Sequence, residues 1–228
     1  MKDNLQHLRY WEESVDIETF KSWCHKEQGW KGFIIDEIEK DEPSRVLDIG
    51  CGTGHMGLKI VSLPYFSDKH EYVGTEITDK FVKYNENQGL TCLNTDFLKL
   101  PYEDRHFDVV ICLDVMNHQI EYEDRVLELL RVTNKKLIFS FHLNWVQAPY
   151  IEQRGGYIHH HLSLNKFLTF LKTRANLGLE EEIRGVSFPN PPISKYGPHG
   201  GWHTRPQVII IEPERDWELL KGRAVSEE

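Results

Sequence analysis

The sequence that decides the fold is Val46-Leu47-Asp48-Ile49-Gly50-Cys51-Gly52-Thr53-Gly54-His55-Met56-Gly57. A short apolar run encloses an acidic residue, Asp48, and glycines then occupy alternate positions at Gly50, Gly52 and Gly54. Apolar residues resume at helical spacing afterwards, so the pattern predicts a strand, a tight turn and a helix. Glycines in such a turn permit positive φ angles and let a ligand approach the main chain, and the start of the helix adds unpaired N–H groups. We therefore interpret the turn as a loop that holds a nucleotide-like cofactor.

The glycine turn is compatible with more than one kind of ligand. Its spacing, Gly52-x-Gly54-x-x-Gly57, matches the fingerprint of dinucleotide-binding proteins, and Glu76 follows at about the 20-residue distance which that fingerprint expects. A single match of this kind is weak evidence. A glycine-rich turn without any ligand is a further alternative, so the rest of the chain has to decide among them.

The composition is that of a globular protein with an acidic net charge. The chain has 228 residues, 39% of them hydrophobic and 28% charged, which is ordinary for a single globular domain. The formal net charge of −9 disfavours a broad nucleic-acid surface, because such a surface needs clustered Lys and Arg. The sequence shows no apolar run of membrane-spanning length, no signal-peptide core at its start and no C-x-x-C pair among its cysteines. We therefore expect free thiols and a cytoplasmic location.

Strands alternate with helices after the glycine turn. Further strands are predicted over 72–77, 90–93, 109–113 and 136–141, with helical patterns over 79–86 and 126–132. This alternation predicts a doubly wound, Rossmann-like α/β fold with a mostly parallel sheet and helices on both faces. Ligands of such sheets bind beyond the carboxyl ends of the strands. Gly50, Glu76, Asp96 and Asp114 each fall at such an end, so we expect them to surround one ligand.

The N-terminal part of the chain is predicted to be helical. Residues 10–40 carry apolar positions at helical spacing in two parts, which Gly29 separates. Tyr10 and Trp11 stand at the beginning of this region. These aromatic residues either cap the core or fold over the mouth of the cofactor site and face the substrate.

The C-terminal part has a less regular pattern. Residues 142–162 are predicted to be irregular, and a helix follows Ser163. Two strands are predicted over 179–188 and 207–212. The loop between them, 189–206, is rich in Pro, Gly and His, and a loop of that length is usually functional or disordered.

The sequence resembles the class I S-adenosylmethionine-dependent methyltransferases in several separate segments. Val46–Gly54 is similar to the first motif of that family, and Tyr72–Glu76 is similar to the second. Asn94–Phe97, followed by Leu100–Asp104 and then Phe107–Val110, resembles a stretch found in many small-molecule methyltransferases. Leu113–His118 stands where the fourth motif ends. The resemblance is good over about residues 44–142, and it disfavours the dinucleotide alternative, which leaves most of these segments unexplained.

The resemblance implies a fold and a cofactor site. The fold is a seven-stranded sheet whose last strand runs antiparallel to the others, and the cofactor is S-adenosylmethionine, with S-adenosylhomocysteine as product. The glycine turn would hold the amino-acid tail, Glu76 would accept hydrogen bonds from both ribose hydroxyls, Asp96 would accept the adenine amino group, and the Phe97 N–H would meet a ring nitrogen. The cofactor-binding residues implied in this way are Asp48, Gly50, Cys51, Gly52, Gly54, Glu76, Ile77, Asp96, Phe97, Leu113 and Asp114.

The resemblance also implies transfer of a methyl group to an oxygen or nitrogen atom of a small molecule. His118 and His142 are the candidates for a general base, since both follow strands near the methyl position. The histidines match no standard metal-ligand spacing, so we expect no metal. Aromatic residues would line the acceptor site, and the candidates are Tyr10, Trp11, Trp145, Tyr157, Tyr196 and Trp202.

The resemblance leaves other functions open. A methyltransferase acting on RNA or protein and a non-catalytic cofactor-binding subunit remain alternatives, although the acidic charge disfavours nucleic acid as a partner. We expect a small-molecule acceptor as the partner and no membrane association, and the sequence is compatible with a homodimer.

We expect one methyltransferase domain with four parts. They are an N-terminal helical cap (1–43), the cofactor-binding core (44–142), an acceptor-side half (143–214) and a tail (215–228). Within the acceptor-side half, the loop 189–206 is either a lid of the acceptor site or a packed surface loop.

Overall fold

A computed structural model of the chain describes residues 8–25, 29–119, 121–143, 150–154, 156–175, 183–187 and 205–213. Its strands are β1 (Arg45–Ile49), β2 (Glu71–Glu76), β3 (Thr91–Asn94), β4 (Phe107–Leu113), β5 (Thr133–Leu143), β6 (Tyr150–Arg154), β7 (Tyr157–His161), β8 (Ile183–Ser187) and β9 (Arg205–Ile211). Its α-helices are α1 (Ile17–Cys24), α2 (Gly29–Glu39), α3 (His55–Val61), α4 (Asp79–Asn87), α5 (Glu123–Val132) and α6 (Leu164–Thr173). A π-helical turn, Tyr10–Ser14, precedes α1, and a 3₁₀ turn, Met116–His118, follows β4.

The large sheet has seven strands in the order β3-β2-β1-β4-β5-β9-β8. Strands β1 to β5 pair in parallel, and β9 pairs antiparallel with both β5 and β8. The last strand, β9, is therefore antiparallel to the other six strands of the sheet. This arrangement confirms the predicted Rossmann-like fold with its antiparallel last strand.

The central strands are apolar because helices cover both faces of the sheet. On one face, β4 and β5 pack with α5 and α6 through residues such as Val110, Leu129 and Phe167. On the other face, Ile34 of α2 and Ile60 of α3 pack against β1 and its neighbours. The carboxyl ends of the parallel strands thus meet at one edge, where the loops that follow β1 to β4 come together. Among the described helices, none has the length and apolar character needed to cross a membrane.

The structure corrects the expectation for residues 142–162. Residues 150–154 and 157–161 form an antiparallel hairpin, β6–β7, in which Tyr150 pairs with His161 and Arg154 pairs with Tyr157. These segments were not predicted as strands because apolar and polar residues do not alternate clearly along them in the sequence. Strand β5 is also longer than predicted and extends to Leu143.

Part of the C-terminal prediction lies outside the described residues. The two strands after α6 are confirmed as β8 and β9, but the loop 189–206 is described only at Arg205 and Pro206, where β9 begins. The role of that loop and the division of the chain into four parts stay predictions.

Candidate active site

The glycine turn has the left-handed geometry that its sequence predicts. The φ angles of Gly50, Gly52 and Gly54 are +63°, +58° and +73°. A Cβ atom at Gly52 would also lie 2.3 Å from Cε1 of Phe20, and one at Gly50 would lie 2.5 Å from Cγ2 of Val115. Only glycine satisfies both the backbone conformation and the packing at these positions.

The turn opens into a cavity of about 410 Å³ at the carboxyl edge of the sheet. Small-molecule sites commonly measure about 300–1,000 Å³. The wall of the cavity unites most of the predicted cofactor residues, namely Asp48, Gly50, Cys51, Gly52, Glu76, Ile77, Asp96, Phe97, Leu113 and Asp114. Gly54 is instead the residue that precedes α3. Residues from four strand ends thus meet around one space.

Glu76 holds the glycine turn and keeps acceptor capacity for a ligand. Its Oε1 accepts a hydrogen bond from the Gly52 N–H at 2.7 Å, and its Oε2 accepts one from the Ile77 N–H at 3.1 Å. A carboxylate offers about four acceptor positions, so about two remain. Burial raises the pKa of Glu76 to about 7, in spite of the two N–H donors that lower it.

Asp48 is a second carboxyl group with a raised pKa in the cavity wall. It is buried within β1, and its Oδ2 accepts a hydrogen bond from the Tyr72 hydroxyl at 2.9 Å. Burial raises the pKa of Asp48 to about 7. The cavity wall therefore contains two carboxyl groups, Asp48 and Glu76, whose pKa values burial raises to about 7.

The loop after β3 places Asp96 and Phe97 at one end of the cavity. Phe97 has a left-handed φ of +49°, and its N–H donates to Thr95 Oγ1 at 3.2 Å. The contact of this N–H with a ring nitrogen of the cofactor stays a prediction. Asp96 Oδ1 accepts the Leu98 N–H at 3.1 Å, which turns the other carboxylate oxygen towards helix α5.

Asp114 is held at the end of β4 by the neighbouring strand. Its N–H donates to Ser140 Oγ at 2.9 Å, and the Ser140 hydroxyl donates to Asp114 Oδ1 at 2.8 Å. The φ of Asp114 is +58°, so the chain turns sharply there. The turn directs Val115 towards Gly50 and His118 into the cavity wall.

His118 lies in an aromatic cluster at this part of the cavity. Its Nδ1 is 2.9 Å from the carbonyl oxygen of Ile158. A carbonyl only accepts, so Nδ1 carries the proton, and in the neutral ring the lone pair is on Nε2. The ring centres of Trp11 and Tyr157 each lie 5.5 Å from the ring centre of His118.

The N-terminal segment folds over the cavity. Trp11 and Phe20 both line the cavity wall, and the Phe20 ring is 4.8 Å from that of Phe81 on α4. The rings of Tyr10 and Tyr157 are in contact at a tilt of 40°, with their centres 5.0 Å apart. Trp11 and Phe20 therefore belong to the cavity wall, and the role of the N-terminal aromatic residues as a cover that faces the substrate stays a prediction.

Other predicted acceptor-side residues are not described. Trp145, Tyr196 and Trp202 lie outside the described residues. His142 belongs to β5, where its backbone pairs with Pro206, but its side chain is outside the described part. In the described ranges, no group of three or more His, Cys, Asp or Glu side chains has a geometry that could hold a metal.

Two buried cations of the cavity wall were missed by the sequence analysis. Lys31, at the beginning of α2, is only 6% exposed and donates to the Cys24 carbonyl. Arg125, on α5, is 7% exposed. Arg125 precedes Leu129 by one helical turn, on the buried face of α5. A charge at a position where the pattern requires an apolar residue is the signal that identifies such residues.

Comparison with known proteins decides the family. Residues 40–168, more than half of the chain, match the model of a family described as a methyltransferase domain. The chain belongs to this family. The class I S-adenosylmethionine-dependent type predicted from the sequence is thereby confirmed, and with it the cofactor of the family.

Individual methyltransferases are similar to parts of the chain. The ubiquinone/menaquinone biosynthesis C-methyltransferase of Ectopseudomonas mendocina is 31% identical over 111 residues, which are 45% of this chain and 43% of that protein. The match thus spans less than half of that relative's length.

Two solved structures of methyltransferases share the fold. The magnesium protoporphyrin IX methyltransferase of Synechocystis PCC 6803, solved with bound S-adenosylmethionine, has a TM-score of 0.55 at 17% identity and covers 92% of this chain and 90% of its own. The 1,6-didemethyltoxoflavin-N1-methyltransferase of Burkholderia thailandensis has a TM-score of 0.55 at 14% identity, covering 81% and 76%. At these identities the likeness concerns the fold alone.

Proposed function

We propose that this methyltransferase-family chain transfers the methyl group of S-adenosylmethionine to an oxygen or nitrogen atom of a small, ring-bearing molecule. The observation that carries the proposal is the continuity of one cavity. The same wall contains the glycine turn and Glu76 at the cofactor side, and His118 and Trp11 at the other. A cofactor and a small acceptor would therefore share one enclosed space.

The residues present fit the cofactor. The glycine turn lines the cavity with its main chain, and Glu76 keeps acceptor positions for ribose hydroxyls. Asp96 offers a carboxylate oxygen for the adenine amino group. Lys31 lies in the wall together with the glycine turn and Cys24, and we assign its ammonium group to the carboxylate of the amino-acid tail.

The protein's part in the reaction is alignment and exclusion of water. When bound, the cofactor supplies an already activated methyl group on its sulfonium. The chain then has to hold the acceptor in line with that methyl group, and such positioning contributes a large share of the rate. Trp11 and Phe20 cover the cavity, and the apolar aromatic wall favours an acceptor with a ring.

His118 is the proposed general base. The Ile158 carbonyl fixes the proton on Nδ1, so Nε2 is the nitrogen that takes a proton from an acceptor hydroxyl or ring N–H. His142 remains a second candidate, which rests on the sequence alone.

The relatives support a small acceptor but do not fix the atom that is methylated. One is named for methylation of carbon and another for methylation of a ring nitrogen. An acceptor panel with deuterated-methyl S-adenosylmethionine and mass spectrometry tests the proposal. Labelled small-molecule products would support it, whereas label found on RNA or protein would favour a macromolecular methyltransferase. A labelled carbon atom would correct the acceptor atom.

We expect Glu76→Ala to weaken binding of S-adenosylhomocysteine by about 1.5–3 kcal/mol, since charge-assisted hydrogen bonds to the ribose are lost. Isothermal titration calorimetry measures the change. Because the pKa of Glu76 is about 7, and ribose hydroxyls donate to the charged form, wild-type affinity should rise as pH increases through 7.

The pH dependence of ligand affinity distinguishes the contribution of Glu76 from that of Asp48. Glu76→Gln should remove the rise in ligand affinity with pH. Asp48→Asn should keep the part of that rise that comes from ionisation of Glu76. An unchanged dissociation constant in Glu76→Ala would show that the ribose is not bound there.

We expect Lys31→Gln to weaken S-adenosylhomocysteine about tenfold or more, because a buried charge-assisted contact to the carboxylate is lost. Binding of 5′-methylthioadenosine, which lacks the amino-acid tail, should stay as in the wild type. Calorimetry with both ligands measures this, with Lys83→Gln, an exposed lysine on α4, as the matched control. An equal loss for the two ligands would contradict the assignment of Lys31 to the tail.

A further inference from the structure

Helix α5 holds the loop after β3 at two points. Glu128 Oε1 accepts the Leu100 N–H at 2.6 Å. One turn earlier on the helix, Arg125 Nη2 is 3.7 Å from Asp96 Oδ2, and the guanidinium lies 5.6 Å from the centre of the Phe97 ring. Asp96 and Phe97, two of the three residues of this loop that line the cavity, thus both lie next to Arg125.

Burial of Arg125 is costly, which argues that the charge has a purpose. The side chain is almost wholly buried, and its Nη1 donates to the Glu121 carbonyl at 3.0 Å. Its Nε finds no hydrogen-bond partner in the part of the chain that the structure describes. A buried guanidinium with an unsatisfied N–H destabilises the fold relative to an apolar residue. The neighbouring positions of this helix face, such as Leu129, are apolar.

The shape of the guanidinium suits the two contacts that Arg125 makes. A planar guanidinium can stack on an aromatic ring and face a carboxylate at the same time, whereas the ammonium of a lysine is a point charge on a flexible stem. The guanidinium carbon lies over the ring of Phe97, 5.6 Å from its centre, and Phe97 itself has a left-handed φ of +49°. Arg125 Nη2 lies 3.7 Å from Asp96 Oδ2, while the Leu98 N–H donates to Oδ1. Each carboxylate oxygen of Asp96 therefore has one positively polarised neighbour.

We propose that Arg125 is the positioning residue that makes the site selective for adenine over hypoxanthine. By fixing the Asp96 carboxylate, it presents acceptor lone pairs to the exocyclic amino group of adenine and disfavours a carbonyl oxygen at that position. The inference rests on the placement of adenine at Asp96 in the proposed function. It assigns the selectivity to a helix residue outside the loop that would contact the base.

The experiment compares two ligands that differ only in the base. Calorimetry gives the dissociation constants of S-adenosylhomocysteine and S-inosylhomocysteine, in which a carbonyl replaces the amino group. We expect the wild type to prefer the adenine ligand by about tenfold or more, because the other ligand presents a carbonyl oxygen to the carboxylate where adenine presents its exocyclic amino group. In Arg125→Gln this ratio should fall to about one to threefold. Arg125→Lys keeps the charge but loses the planar stacking, so its ratio should lie between the two.

A matched control removes an arginine from another contact with α5. Arg174 Nη1 pairs with Glu123 Oε2 at 2.6 Å, and Arg174 is exposed and does not line the cavity. Arg174→Gln should leave the ligand ratio unchanged. A purely structural role of Arg125 would lower the affinity for both ligands equally and leave the ratio as in the wild type, and that result would overturn the inference.

Two further outcomes separate this inference from the cofactor placement. If Asp96→Ala retains the wild-type ratio, adenine does not lie at Asp96 and the placement itself is wrong. If Asp96→Ala abolishes the preference for the adenine ligand but Arg125→Gln retains it, the placement of adenine at Asp96 stands and the role of Arg125 is refuted. Should Arg125→Gln fail to fold, an unchanged ratio in Arg125→Lys would refute it as well.

Discussion

Gly52→Val should abolish measurable binding of S-adenosylhomocysteine. The substitution forces a β-branched residue into a φ of +58°, and its Cβ would lie 2.3 Å from Cε1 of Phe20. Backbone strain of this kind costs about 1–3 kcal/mol. The collision also moves either the cover formed by Phe20 or the turn itself, whose N–H is bound to Glu76. Calorimetry of the variant measures the loss.

Gly89 provides the matched control for this experiment. Its φ is +81°, but no atom lies within 4 Å of an added Cβ, and the residue is outside the cavity wall. Gly89→Val should therefore lower the melting temperature through backbone strain and leave the affinity for the ligand unchanged. Wild-type affinity in Gly52→Val would mean that the cofactor does not approach this turn.

His118→Asn should reduce kcat by about 10²–10⁴-fold for an acceptor that must lose a proton. Binding of S-adenosylhomocysteine should change little, since His118 lies on the acceptor side of the cavity. With an acceptor that is already ionised at the assay pH, no base is needed, and most of the rate should return. Steady-state kinetics with a neutral and an ionised acceptor of the same class measure this difference.

His70→Asn is the control for a histidine outside the cavity wall. Its Nδ1 accepts the Ser67 N–H, and its ring lies against Tyr65 and Phe66. This substitution should leave both rates unchanged. A His118→Asn variant that methylates the neutral acceptor at the wild-type rate would exclude His118 as the base and leave His142 as the candidate to test.

The sequence was sufficient to predict the fold and the edge of the sheet where the site lies. Continuous apolar strands that alternate with helices require a parallel sheet covered on both sides. The polar residues Glu76, Asp96 and Asp114 end such strands, so the topology alone brings them together. The left-handed glycines followed from their spacing, because few other patterns require three alternating glycines.

Contacts between distant segments were not predictable in this way. Phe20 covers Gly52, and Arg125 supports Asp96, only because the chain folds back on itself.

Some local features were not predictable either. The N–H of Phe97 donates to Thr95 through a local turn, and the dihedral angles of that turn do not follow from composition. The hairpin β6–β7 was not predicted because its sequence shows no clear alternation of apolar and polar residues. The candidates Trp145, Tyr196 and Trp202 stay predictions.

Calorimetric titration of the wild-type protein with S-adenosylhomocysteine and with NAD tests the central claim most directly. The cavity that unites the glycine turn, Glu76 and Asp96 should bind S-adenosylhomocysteine at one site per chain and give little or no heat with NAD. Absence of binding to S-adenosylhomocysteine, or tighter binding of NAD, would contradict the account.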